Sequence, residues 1–74
     1  MSFNRVTGAI IGFIQTDAYR NRTDGSYTAE QIANGIDESL ESTVRPAIEM
    51  MLKVNEIWEF GNNRYRLDPE AFRG

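Results

Sequence analysis

The sequence predicts an α+β domain in which three helices precede a C-terminal two-stranded β-hairpin. Three observations carry that expectation. Val44, Ala47, Ile48 and Met51 recur at spacings of three and four, the mark of one buried helical face. Ile57-Trp58-Glu59-Phe60 and Tyr65-Arg66-Leu67 are rich in β-branched and aromatic residues and flank the turn-forming run Gly61-Asn62-Asn63-Arg64. Thr28-Ala29-Glu30-Gln31 has the spacing of a capping box, so a helix opens there.

The first helix is expected from about Asn4 to Tyr19, capped by Ser2 or Asn4. Phe3, Val6, Ile10, Phe13 and Ile14 fall on one side of its wheel and form the core stripe. Gly8 and Gly12 lie away from that stripe, with Ile11 at its edge. Each exposed helical glycine costs about 1 kcal/mol against alanine. Either the helix tolerates the pair, or two glycines four residues apart let a second subunit approach. Arg20 to Ser26 is a polar connection broken at Asp24-Gly25, and Tyr27 is placed in a very short strand.

The second helix is expected over about Ala29 to Asn34, burying Ile32, Ala33 and Ile36 and stopping at Asn34-Gly35. Leu40 drops into the core ahead of the third helix. Pro46 donates no amide hydrogen bond and belongs near a helix start, so the third helix is expected from Ser42 to Lys53. Its outer face carries Ser42, Arg45, Pro46, Glu49, Met50 and Lys53. Asn55 suits a left-handed cap at its end. After the hairpin, Asp68-Pro69-Glu70 opens a short terminal turn through Phe72.

Seventy-four residues make one small domain, and neither cysteine nor histidine is present, so disulfides and the usual zinc sites are excluded. No cofactor is implied. An enzyme is not expected, because no histidine, cysteine nucleophile or phosphate-cradling glycine loop stands in the chain. Apolar runs are short and no signal peptide is evident, which predicts a cytoplasmic protein that meets no membrane. The net charge is −3, with the acid excess in residues 28–54, where Glu30, Asp37, Glu38, Glu41 and Glu49 face only Arg45 and Lys53. Basic residues gather instead at Arg20/Arg22 and Arg64/Arg66.

The order helix, short strand, helix, turn, helix, hairpin resembles a winged helix-turn-helix domain of the kind found in small prokaryotic transcriptional regulators. The residues that carry the resemblance are Thr28-Ala29-Glu30-Gln31-Ile32-Ala33, then Ser42-Thr43-Val44-Arg45, then Asn55-Glu56-Ile57 leading to Tyr65-Arg66-Leu67. Two departures stand out: the Gly35–Glu41 turn is long and acidic, and Asn55 replaces the family's common glycine.

The resemblance implies a dimeric DNA-binding transcriptional regulator whose partner is double-stranded DNA. Its third helix would enter the major groove with Ser42, Thr43 and Arg45 towards bases or phosphates. Asn62, Asn63, Arg64 and Arg66 would meet the backbone from the wing. Thr28 would add a phosphate contact, as would Arg20 and Arg22. Each has a plainer role open to it: Thr28 as a cap, Arg45 paired with Glu49, Arg66 lying across a strand partner, Trp58 and Phe60 as core or edge packing. The alternative is a winged helix used for protein contact or dimerisation, presenting Gly8, Ile11, Gly12, Met50 and a part-exposed Trp58.

Overall fold

Helix α1 (Phe3–Asn21) turns Val6, Ile10 and Ile14 into the core, at the spacing its apolar stripe predicts. The computed structural model describes residues 3–61 and 63–68, and for Phe3 and Asn4 the backbone alone. The proposed cap Ser2, the Phe3 core contact, Asn62 and the terminal turn over 69–72 therefore lie outside the described residues, and Asn4, the other proposed cap, falls within α1. After α1 come strand β1 (Ser26–Thr28), helix α2 (Ala29–Ile36), a π turn over Leu40–Val44, helix α3 (Arg45–Lys53), and strands β2 (Ile57–Phe60) and β3 (Arg64–Leu67). This is an α+β arrangement ending in a β-hairpin, consistent with a winged-helix layout. Among the described residues, no helix is long and apolar enough to cross a membrane.

The hairpin does not stand alone. Strand β1 pairs antiparallel with β3, so the sheet order is β1-β3-β2, with Tyr27 opposite Tyr65 and Glu59 opposite Tyr65 on the other side. A two-stranded hairpin is marginal in water, and the third strand together with the helices supplies what it lacks. Successive side chains in a strand alternate between faces. The inner face accordingly presents Tyr27, Ile57 and Tyr65 to the helices, and all three are buried. Ile10, Ile32, Val44, Met51 and Ile57 are the largest fully enclosed side chains, each contributing about 1.5–3 kcal/mol.

All three helices end in one way. Arg22, Asp37 and Asn55 take left-handed φ of 53°, 57° and 61°, and the next residue's amide reaches five residues back: Thr23 to Ala18, Glu38 to Ala33, Glu56 to Met51. These are Schellman closures with a non-glycine residue at the strained position. Asn55 takes the conformation expected of it. Gly35 does not: α2 runs through it to Ile36, and Asp37 ends the helix. Gly35 serves packing instead, since a methyl group there would overlap the Phe13 ring.

The third helical segment also starts earlier than Ser42. The Ser39 hydroxyl accepts from the Ser42 amide, and the Val44 and Arg45 amides reach five residues back to Ser39 and Leu40. That widened turn runs directly into α3, with Pro46 near the α3 start. A proline ring crowds the carbonyl four residues earlier, and a π turn gives that carbonyl room.

Candidate functional site

The expected recognition helix α3 lies against the hairpin, and between them runs a groove of about 270 Å³. Ala29, Ile48 and Leu52 give it an apolar lining, while Glu49 and Glu59 add carboxylates. Arg45 and Tyr65 complete the walls. Arg45 is already engaged: its Nε donates to Glu41 Oε2 at 2.9 Å, one helical turn back. That hydrogen bond, with the Glu41 charge behind it, raises the Arg45 pKa. The partner is Glu41 rather than the expected Glu49: both stand four residues from Arg45, and the bond forms to the one before it.

Tyr65 is 8% exposed, and no hydrogen bond to its hydroxyl occurs among the described residues. Burial first, then the charges of Glu59, Glu30 and Glu49, pushes that hydroxyl's pKa up, with Arg45 opposing. Glu49 of α3 and Glu59 of β2 line the groove with that phenol, Glu59 standing opposite Tyr65 in the ladder. Neither makes a salt bridge among the described residues.

The hairpin arginines face elsewhere. Arg64 and Arg66 flank Tyr65 in β3, so the alternation that turns Tyr65 into the groove turns both guanidinium groups to the outer face of the sheet. There Arg64 donates from Nη2 to the Ser26 carbonyl at 2.8 Å and from Nε to the Ser26 hydroxyl at 3.2 Å. Ser26 in turn donates from its amide and hydroxyl to Asp24 Oδ1. Those bonds from Ser26, aided by the Arg64 and Arg66 charges, lower the Asp24 pKa. The Arg66 guanidinium carbon stands 5.8 Å from the centre of the Phe60 ring.

Other expected contacts separate in the same way. Thr28 caps α2, with both hydrogen bonds of the capping box formed. Thr43, expected at a DNA groove, is buried (4% exposed), one turn before buried Ala47; Ser42 is exposed. Asn63, Arg20 and Arg22 are exposed, the last in the left-handed closure of α1. Gly8 and Gly12 are open to solvent with no neighbour that an added methyl would meet, and Ile11 is part-buried against the core. Met50 is 44% exposed beside Val54.

Trp58 and Phe60, expected as core or edge packing, are 49% and 39% exposed on the outer sheet face. Neither covers the core, because the helices occupy the Ile57 side. Sequence reasoning also passed over Tyr65, Glu59 and Ser26. The strand alternation signals the first two, since they sit opposite Arg64, Arg66, Trp58 and Phe60. Nothing local signals Ser26 as the acceptor for Arg64, which lies 38 residues away.

Among the described residues, no group of three or more acidic, cysteine or histidine side chains is placed to hold a metal ion. No family model matches the chain, and no curated protein or solved structure matches it significantly.

Proposed function

We propose that the chain is a protein-contact module on a winged-helix layout. One observation carries the reading: Arg45 opens into the α3–hairpin groove, while Arg64 and Arg66 lie on the opposite side of the sheet. The two sets form no continuous cationic edge. The surface that would face a duplex holds Glu41 and Glu49 beside Arg45, with Asp37 and Glu38 in the turn before it, and phosphate is repelled there. Exposed Trp58 and Phe60 on the outer sheet face, and Met50 with Val54 on α3 and its exit, are apolar groups of the kind protein interfaces use.

The second reading is the DNA-binding transcriptional regulator, favoured by the winged-helix layout and by the exposed Arg20, Arg22, Arg64 and Arg66. Fluorescence anisotropy against a mixed-sequence duplex separates the two. A protein-contact module gives weak binding at physiological salt, unchanged in the R45A/R64A double variant. Tight binding whose log K falls with log salt at about −0.9 per phosphate contact, and which collapses in R45A/R64A, overturns the proposal in favour of DNA.

A further inference from the structure

We infer that the groove between α3 and the hairpin receives an arginine side chain from a basic segment of a protein partner. The inference rests on the protein-contact reading and gives its partner a chemistry. Two independent features point to a cation with several donors. Glu49 and Glu59 line the groove from α3 and β2 and lack a salt bridge among the described residues, while Arg45 is committed to Glu41. In the same lining, Tyr65 is more than nine-tenths buried, and its hydroxyl makes no hydrogen bond among the described residues. No fully enclosed side-chain polar atom lacks a partner among the described residues, so that hydroxyl opens into the groove it lines. Its phenol oxygen can accept from an occupant's donor.

The size and lining narrow the occupant. At about 270 Å³ the groove is below the roughly 300–1,000 Å³ of pockets that hold drug-sized ligands, and it suits one long side chain. Ala29, Ile48 and Leu52 accommodate methylenes, as arginine stems require. A guanidinium offers five N–H donors in a planar fork, enough to serve two carboxylates and the phenol together, which a lysine ammonium matches less well.

The test is a ¹H–¹⁵N NMR titration of the full chain with acetyl-Ala-Arg-Ala-amide, acetyl-Ala-Ala-Ala-amide and a mixed-sequence DNA duplex. The arginine peptide should give saturable shifts at Ile48, Leu52, Glu59 and Tyr65, and the alanine peptide none. E49Q/E59Q should weaken the arginine peptide about tenfold, the loss of charge-assisted partners. Y65F, which keeps the ring and removes the hydroxyl, should weaken it severalfold, and the spectra themselves report that each variant is folded. Absent or unsaturable groove shifts, equal shifts with the alanine peptide, or indifference to E49Q/E59Q overturn the inference. So does movement of the groove resonances with protein concentration alone, which would assign the site to a second copy. Shifts along α3 with the duplex at physiological salt would overturn the underlying protein-contact reading; a silent duplex and a silent peptide would remove the groove assignment alone.

Discussion

The Phe13 ring of α1 occupies the space that any side chain at Gly35 of α2 would need: an added methyl would lie within 2.6 Å of its Cδ1, Cε1 and Cζ carbons. Tyr27, 5.4 Å away centre to centre at a tilt of 58°, limits the ring's retreat on its side. Two effects oppose each other in Gly35→Ala. Alanine gains about 1 kcal/mol of helix propensity, and overpacking costs about 1–3 kcal/mol. Overpacking is expected to win, so Gly35→Ala lowers the urea midpoint, and adding Phe13→Leu restores part of the loss in a double-mutant cycle.

Gly8 and Gly12 pose the opposite case on the same helix. An added methyl meets nothing within 4 Å at either position. Gly8→Ala and Gly12→Ala should each stabilise by up to about 1 kcal/mol, and additively. Chemical denaturation checks the gain, and sedimentation shows whether this face also holds a second subunit: self-association lost in the stabilised variants would mark it as one.

Thr28 is expected to matter through its cap. Its hydroxyl accepts from the Gln31 amide at 3.1 Å, and its own amide donates to the Gln31 side chain at 2.9 Å. Thr28→Ala should cost about 0.5–2 kcal/mol by thermal melting. Thr28→Ser, which keeps the acceptor oxygen, should recover most of it.

Asp37 holds a left-handed conformation that only glycine adopts without strain. Asp37→Gly should raise stability by up to about 1 kcal/mol, since L residues lose roughly 1–2 kcal/mol in that region. The gain is measured as a shift in midpoint at constant denaturant slope.

Alkaline pH should unfold the protein through Tyr27. Burial, then the hydrogen bond to Asp17 at 2.6 Å, raises its pKa above the ordinary 10.0. The unfolded chain loses this proton first as pH rises past 10.0, so the folded state then holds more protons and its stability falls. The contribution is whole below pH 10.0 and is lost as pH climbs through the folded value. Melting temperatures across that range should fall, and Tyr27→Phe should flatten the decline, leaving the share due to Tyr65, which is raised by burial as well.

Much of the fold was legible because its signals are local. The capping box at Thr28, the apolar spacing of α3 and the alternation of the hairpin each act over a few residues, and each stands where expected. Gly35 misled because a glycine after asparagine reads alike whether it ends a helix or makes room for a ring from another one. The π turn was invisible: its hydrogen bonds differ from those of an α-helix by one residue, and no side-chain pattern records that step. The direction of the arginines was illegible for a third reason. Alternation shows that Arg64 and Arg66 share a face, but only the docking of α3 against the Ile57 side determines which face that is.

The widened stretch before Pro46 has a further consequence, for insertion and deletion rather than substitution. An α-helix advances about 100° per residue, so one residue more or less between Leu40 and Val44 would swing everything upstream by that angle. Loss of Ser42 would leave Glu41 three residues ahead of Arg45, still a neighbour on the helix surface, while Leu40 swings from its place against the core. A single codon lost there would thus be felt by the core at Leu40 rather than by the charge pair at the helix entrance.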